Sequence, residues 1–145
     1  MSDVNGQPAR AVERLNALLR VELAAVLACQ HAGRSMDGRL GPGSSHFFDL
    51  AVGHQRNVAA LQSCIRALGA VPAAEAGTWG TFALLRDAVS VQQLLEAEQR
   101  GLAEYEAALS TLDGDVRELL EHELMPRQRQ HVATLSKILG ALPAA

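Results

Sequence analysis

The chain has 145 residues, of which 48% are hydrophobic and only 3% aromatic, and Ala and Leu supply most of the apolar content. Charged residues make up 20%, and the formal net charge of −3 gives no reason to expect a nucleic-acid or membrane-surface partner. Few aromatic and β-branched residues argue against a sandwich or barrel, whereas abundant Ala, Leu, Glu, Gln and Arg favour helices. The composition therefore predicts a single all-α domain over residues 1–145, long enough to bury its own core.

The sequence carries no targeting or redox signal. Its first residues lack the basic region and apolar run of a secretory signal, and no stretch approaches the 18 uninterrupted apolar residues of a membrane span. Cys29 and Cys64, the two cysteines, form no CxxC pair and no zinc-ligand spacing. We therefore expect a cytoplasmic protein with free thiols.

Two segments with helical periodicity occupy the first half of the chain. The first is expected over residues 9–33. After a Gly-rich break, Ser44 or Ser45 is expected to cap the second helix. That helix ends at Leu68, before Gly69 as a left-handed stop.

Two further helices are predicted in the second half. The third is expected over residues 81–110, and the Asp-Gly-Asp sequence at 113–115 predicts a turn. The fourth is expected over residues 116–139, with Gly140 as its stop. Pro126 lies inside the fourth helix and is expected to kink it or split it into two pieces.

Apolar residues at a 3-4 spacing give each helix one seam, which is typical of a helix bundle. The seam residues of helix 1 are Val12, Leu15, Leu19, Val26, Cys29 and Gly33, and those of helix 2 are Phe47, Ala51, Val58, Leu61, Ile65 and Leu68. Helix 3 has Leu84, Ala88, Val91, Leu95, Leu102, Tyr105 and Leu109, and helix 4 has Leu120, Leu124, Leu135 and Ile138. The pattern predicts an antiparallel four-helix bundle.

Polar side chains interrupt every seam near its middle. These residues, which we call the polar layer, are Glu22, His54, Glu98, Gln128 and His131. If neighbouring helices are antiparallel, their heights agree to within about 3–6 Å. Because a buried carboxylate without a partner costs several kcal/mol, these groups should meet each other, a water molecule or a metal ion.

The polar layer resembles the metal site of ferritin-like bundles, in which two helices each provide a Glu and two each provide Glu-x-x-His. The residues that match this pattern are Glu22, Glu98 and His131. Where Glu-x-x-His would stand, helix 2 has His54-Gln-Arg-Asn57 and helix 4 has Gln128-Arg-Gln-His131. Two bridging carboxylates are therefore missing, which argues against a conventional di-iron centre.

Over nearly its whole length, including Gly77-Thr-Trp-Gly-Thr-Phe before helix 3, the chain looks like a bacterial family of uncharacterised, ferritin-like four-helix-bundle proteins. Some members of that family are associated with stress. The resemblance favours a long crossover between helices 2 and 3, although an up-down-up-down bundle is easier to connect, because the linker reaches only about 36–40 Å. Trp79 is expected to anchor this linker against the bundle.

Two Glu and two His are enough to bind one divalent ion such as Fe, Mn or Zn. This predicted ligand set is Glu22, His54, Glu98 and His131. Asn57 and Gln128 are weak ligands and are better suited to hydrogen-bonding the ligands from behind. Tyr105 lies on the seam of Glu98 and is either a core aromatic or a third such partner.

Other interpretations of the same residues stay open. An alternative to the metal site is a metal-free hydrogen-bonded network in a non-enzymatic structural or interaction bundle. A small-ligand pocket beside the layer is a third alternative. Long helices with Ala-rich outer faces are compatible with a homodimer.

No nucleophile–base pair, phosphate loop or dinucleotide fingerprint indicates catalysis. Cys29 and Cys64 are expected to be buried, inert thiols about 25 Å apart.

Overall fold

The computed structural model of the chain describes residues 6–35, 45–77 and 91–141. Within these ranges the protein is helical and contains no β-strand, which confirms the all-α prediction. The elements are α1 (Gly6–Ser35), α2 (Ser45–Ala67), α3 (Val91–Ala108), a 3-10 turn (Leu109–Thr111), α4 (Gly114–Leu119), a π turn (Leu120–Leu124) and α5 (Met125–Ala141). Because α4, the π turn and α5 are continuous, they form one fourth helix over residues 114–141. No helix within the described ranges is both long and apolar enough to cross a membrane.

Two glycines were predicted to end helices; the prediction is confirmed for Gly69 and wrong for Gly140. After α2, Gly69 adopts a positive φ of 80° and its N–H bonds to Arg66 O at 2.9 Å, as expected for a left-handed stop. In contrast, Gly140 lies inside α5, which continues to Ala141. Partly buried Ile138 and Leu139 pack against the core in this last turn, so packing outweighs the cost of about 1 kcal/mol for a helical glycine.

The fourth helix widens into a π turn before Pro126 but continues past it, where the sequence predicts a kink or a split into two pieces. The π turn ends at Leu124, two residues before Pro126, and Met125 N–H bonds to Leu120 O, five residues back. Proline has no N–H to donate, and its ring clashes with the carbonyl one turn earlier. A widened turn at this point relieves both problems without ending the helix.

Contacts between α1 and α2 show that the two helices run in opposite directions. A Cβ at Gly33, near the end of α1, would lie 2.7 Å from the ring of Phe48, near the start of α2. Further along α2, His54 bonds to Glu22. Residue numbers therefore fall along α1 as they rise along α2.

The helices α1 and α3 also run in opposite directions. Arg14 lies 3.9 Å from Glu104, and Cys29, later on α1, contacts Glu98, earlier on α3. It follows that α2 and α3 point the same way. Their connection must therefore return along the length of the bundle.

The described part of this connection follows α1. Ala73 N–H bonds to Asn16 Oδ1 at 2.7 Å, and Gly77 N–H bonds to Arg20 O at 3.0 Å. The linker thus advances along α1 towards the end at which α3 begins, as the long crossover requires. Trp79, Ser44 and the predicted first part of helix 3 (81–90) lie outside the described residues.

Two apolar clusters make up the core, and the polar layer separates them. One contains buried residues near the C-terminal end of α1 and the starts of α2 and α3: Ala28, Cys29, Ala32, Phe47, Leu50, Ala51, Val91, Leu94, Leu95 and Leu135. The other lies at the opposite end: Leu15, Leu18, Leu19, Leu61, Ile65, Tyr105, Ala108, Leu112, Leu120, Leu124 and Met125. The polar layer is therefore enclosed by hydrocarbon above and below.

The seam of α3 differs from the prediction. Leu102 and Leu109 are only partly buried, and the fully covered positions are taken by Leu94, Gly101 and Ala108. A Cβ at Gly101 would lie 3.1 Å from Gln128 Nε2, so the glycine lets the Gln128 side chain of the fourth helix approach closely. Leu68, the residue after α2, is likewise exposed rather than buried.

Candidate metal centre

Every residue of the polar layer is buried. The exposed fraction does not exceed 6% for any of Glu22, His54, Asn57, Glu98, Gln128 and His131. One turn of each of the four helices supplies them, because each interrupts an apolar seam at a similar height. The four predicted ligands and two of their predicted hydrogen-bonding partners, Asn57 and Gln128, are thus buried together, and the third partner, Tyr105, is also buried and bonds to Glu22.

The imidazole of His54 joins two carboxylates. Its Nδ1 lies 2.6 Å from Glu22 Oε2, and its Nε2 lies 2.6 Å from Glu98 Oε1. Both ring nitrogens are therefore engaged, and α2 is tied to α1 and α3 at the same point. These distances are those of charge-assisted hydrogen bonds.

Three further side chains support Glu22. Tyr105 Oη donates to Glu22 Oε1 at 2.6 Å, and Asn57 Nδ2 donates to the same oxygen at 3.1 Å. Arg127 in turn donates to Asn57 Oδ1 at 2.7 Å. The Glu22 carboxylate is thus held on both oxygens and has a fixed orientation.

The second carboxylate, Glu98, is held from α5 and contacted from α1. Gln128 Nε2 donates to Glu98 Oε2 at 2.7 Å and to the Glu98 backbone carbonyl at 2.8 Å. Cys29 Sγ lies 3.9 Å from Glu98 Oε1, the oxygen that also faces His54. A thiol, an imidazole and a carboxylate therefore converge on one point.

His131 completes the layer but makes no hydrogen bond through Nδ1. This nitrogen is buried and unpaired, and it lies 3.8 Å from Glu98 Oε2. The ring packs against His54 with 4.4 Å between centroids. On its other side it occupies the space beside Gly53, where a Cβ would overlap Nε2. Glycine at 53 thus creates the room that the ring fills.

Charge is distributed unevenly over the layer. Burial lowers the pKa of His54, but the carboxylates of Glu98 and Glu22 outweigh it and hold the pKa well above its usual value. Burial raises the pKa of Glu22, but the charge and hydrogen bond of His54, with those from Tyr105 and Asn57, bring it below its usual value. His54 and Glu22 therefore form a buried ion pair.

Three further groups, His131, Tyr105 and the Cys29 thiol, are kept neutral near pH 7. Burial and the positive charge of His54 lower the pKa of His131 to about 4. Burial and the neighbouring Glu22 raise the pKa of Tyr105 well above its usual value. Burial also raises the pKa of the Cys29 thiol. The cationic group of the layer is thus His54, between two carboxylates.

A buried group of donors in this layer could hold a metal ion. Cys29 Sγ, one ring nitrogen of His54 and one carboxylate oxygen of Glu98 all lie within 4.8 Å of one another. Sulfur, nitrogen and oxygen donors together suit a borderline ion such as Zn²⁺. The unpaired Nδ1 of His131, 3.8 Å from Glu98, is a further donor without a partner. The residues present therefore fit a metal.

Two of the four predicted ligands, His54 and Glu98, belong to this candidate group. Glu22 contacts His54 through Nδ1, on the side of the ring opposite to the Nε2 that faces Glu98. A carboxylate in that position orients a ligating histidine from behind. Asn57 and Tyr105 bond to Glu22, and Gln128 bonds to Glu98.

Sequence reasoning missed Cys29 as a member of this group. It was expected to be an inert core thiol, yet it lies against Glu98 in the polar layer. The signal was its position seven residues after Glu22, two turns along the same seam. Cys64, also expected to be buried, is only half-buried, and both cysteines are free.

The comparisons with known proteins give no relative: no protein-family model, no curated protein and no solved structure matches this chain.

Proposed function

We propose that this chain is a ferritin-like antiparallel four-helix bundle that binds one divalent metal ion in its polar layer. The observation that carries the proposal is the convergence of Cys29, His54 and Glu98 within 4.8 Å in the buried core. The opposed directions of α1 and its two neighbours, and the linker that returns along α1, support the ferritin-like arrangement.

The ligands in this proposal are His54 through Nε2, Glu98, Cys29 and His131. Their charges balance a divalent ion when the thiol loses its proton. Glu22 remains hydrogen-bonded to Nδ1 of His54 and sets the orientation of the ring. A bound ion would take the place of the proton between His54 Nε2 and Glu98 Oε1, which lie 2.6 Å apart.

A bound ion would supply a fixed positive charge and a Lewis acid to the buried layer. The thiolate donor favours Zn²⁺, whereas Mn²⁺ prefers oxygen ligands and Fe²⁺ lies between them. The proposal assigns no reaction to the metal. Its effect on the protein itself is to cross-link α1, α2, α3 and α5 at one level.

The test is metal analysis of protein purified without a His tag, followed by melting curves with Zn(II), Fe(II) and Mn(II). We expect about one metal per chain, and a stabilisation of about 2.7 kcal/mol at a free metal concentration 100 times the dissociation constant. The variants Cys29→Ala and His131→Ala should each lose most of this shift. Cys64→Ala, which removes the half-buried thiol outside the layer, is the matched control and should retain it.

A metal-free structural layer is the second candidate function. It is favoured by the hydrogen bonds of 2.6 Å that both ring nitrogens of His54 make. These bonds pair His54 with the two carboxylates without a metal. In that case no metal copurifies, and added metal leaves the melting temperature of the parent chain unchanged. The two results together contradict the metal proposal and leave a bundle in which the layer serves packing and register.

A further inference from the structure

A polar groove of about 400 Å³ lies between α2 and the fourth helix. Its two walls run in opposite directions, because Arg127 bonds to Asn57, whereas His131, four residues later, lies beside Gly53, four residues earlier. Gly53 and His131 both line the groove. Since His131 belongs to the polar layer, the groove adjoins that layer from the outer side of the bundle.

Two arginines lie at the same level of the groove, which we call its arginine end. Arg56 and Arg127 both line the groove. Arg56 directly precedes Asn57, and Asn57 Oδ1 accepts a hydrogen bond of 2.7 Å from Arg127 Nη1. Two positive charges on neighbouring positions repel each other, and an anion bound between them replaces this repulsion by attraction. The arginine end therefore favours an anionic ligand.

The guanidinium of Arg56 is available to such a ligand. The residue is exposed, and among the described residues its side chain takes part in no ion pair and no hydrogen bond. A guanidinium has five N–H groups in a planar fork that matches the oxygens of a carboxylate or a phosphate. Arg56 thus offers a complete binding edge at the arginine end.

The guanidinium of Arg127 is held in place before any ligand arrives. Its side chain is only 21% exposed, and it is tied to Asn57, which is fully buried. Its Nη2 lies 3.5 Å from Glu123, a half-exposed carboxylate on the same helix. Such an exposed pair is weak, so an oxyanion can compete with it. A fixed guanidinium also loses little side-chain entropy when a ligand binds.

Two carboxylates oppose an anion, and neither removes the positive charge of the arginine end. With Glu123 counted against Arg56 and Arg127, this end keeps an excess of one positive charge. Asp49 lines the groove seven residues from Arg56, about 10 Å along the helix axis. At that distance in water it weakens a singly charged anion only about twofold. His131, with a pKa of about 4, is uncharged near pH 7.

We propose that this groove binds a small oxyanion, the phosphoryl group of free phosphate or of a small phosphate ester, between Arg56 and Arg127. The uncharged polar side chains of Gln130 and Thr134 continue the lining away from the arginines. They leave room for hydroxyl groups attached to the phosphate, because each water-sized group occupies only about 30 Å³. The proposal does not rest on the metal site.

The first experiment titrates chelator-treated protein with inorganic phosphate at low ionic strength and follows the backbone amides by NMR. We expect a dissociation constant of about 1–10 mM for this ion of five non-hydrogen atoms. Sodium chloride at the same ionic strength and uncharged glycerol are the controls, and neither should reproduce the shifts at the arginine end. Glycerol 3-phosphate distinguishes the two sources, since an ester ligand should bind more tightly than free phosphate and a free-ion site should bind both equally.

The second experiment changes the charges one at a time, and melting curves establish that each variant is folded. Arg56→Gln and Arg127→Gln should each weaken phosphate binding about fivefold. Arg129→Gln makes the same change at an exposed position outside the groove and should leave the dissociation constant unchanged. Glu123→Gln releases Arg127, and Asp49→Asn removes the opposing charge, so each should strengthen binding about twofold.

Three outcomes would overturn the proposal. One is the absence of phosphate binding to the parent chain at about 50 mM, five times the weakest expected dissociation constant. Another is undiminished binding to folded Arg56→Gln. The third is an equal loss in Arg56→Gln and Arg129→Gln, which would show that phosphate responds only to the net charge of the surface. None of these outcomes bears on metal binding, which is measured without phosphate.

Discussion

His54 and His131 stack with ring centroids 4.4 Å apart and an interplanar angle of 56°, yet their pKa values shift in opposite directions. The carboxylates of Glu98 and Glu22 outweigh burial and raise the pKa of His54 well above its usual value. Burial and the charge of His54 lower the pKa of His131 to about 4. The difference arises because His54 contacts two carboxylates at 2.6 Å, whereas the Nδ1 of His131 lies 3.8 Å from one.

We therefore expect the low pKa of His131 to make the folded protein less stable at acidic pH. Below pH 6.5 the unfolded chain takes up a proton on this residue, but the folded chain does so only near pH 4. The contribution of neutral His131 to the free energy of unfolding is thus present above pH 6.5 and is lost as the pH falls. Between pH 7 and pH 4.5 this one group should lower the free energy of unfolding by about 2 kcal/mol.

Urea unfolding at the two pH values tests this effect. His131→Gln removes the titrating group and should make the difference between pH 7 and pH 4.5 smaller by the same amount. His122→Gln, at an exposed position on the fourth helix, should leave it unchanged. His54 does not confuse the comparison, since its raised pKa keeps it protonated in the folded state and its contribution is common to the parent chain and to His131→Gln. An unaltered pH dependence in His131→Gln would contradict the assignment.

Tyr105→Phe should destabilise the protein although the ring is retained. The hydroxyl donates to Glu22 Oε1 at 2.6 Å in the buried layer, and a hydrogen bond to a charged group contributes about 1.5–3 kcal/mol. Chemical denaturation measures the loss. Ser110→Ala removes an exposed hydroxyl that bonds to a backbone carbonyl and should change the stability by less than about 0.5 kcal/mol. Equal stability of Tyr105→Phe and the parent chain would show that Glu22 does not depend on this bond.

Gly53→Ala should destabilise the bundle through His131. The added Cβ overlaps Nε2 of the ring, so His131 or α2 must move, at a cost of about 1–3 kcal/mol. In a His131→Ala background the same change should be neutral or stabilising. Gly140→Ala is the matched control, because a Cβ there meets no atom within 4 Å, and it should stabilise by about 0.5–1 kcal/mol. A loss at Gly53 that persists without the His131 ring would contradict this explanation.

Metal binding should release protons. The carboxylates hold the pKa of His54 above its usual value, and burial raises the pKa of the Cys29 thiol. Both must lose a proton to act as ligands, so we expect up to about two protons per ion at pH 7. Calorimetric titrations in two buffers with different ionisation enthalpies give this number. Cys29→Ser should reduce it by about one, whereas metal binding without proton release would exclude His54 and Cys29 as ligands.

Much of the candidate site was predictable from the seams. Glu22, His54, Glu98, Gln128 and His131 were identified because each interrupts an apolar stripe, and all five are buried. A polar residue on the apolar face of an amphipathic helix can be recognised in the sequence, since the face that a residue occupies depends only on the 3.6-residue repeat. The same repeat identified Asn57 as a neighbour of His54 on α2.

The pairing of these groups was not predictable. Tyr105 bonds to Glu22, 83 residues away in the chain, rather than to its own neighbour Glu98 on the same helix. Cys29 reaches Glu98, 69 residues away. Such contacts depend on the direction and rotation of each helix about its axis, which a local pattern does not specify.

By itself, the amino-acid sequence determined the helical class of the protein, the seams and the residues of the polar layer. These follow from composition and local periodicity, which act within a few turns. Only the tertiary structure decided that α2 and α3 run in the same direction, that His54 lies between Glu22 and Glu98, and that His131 fills the space beside Gly53. Those features depend on the packing of four helices at once, because each side chain takes the place that its neighbours on other helices leave free.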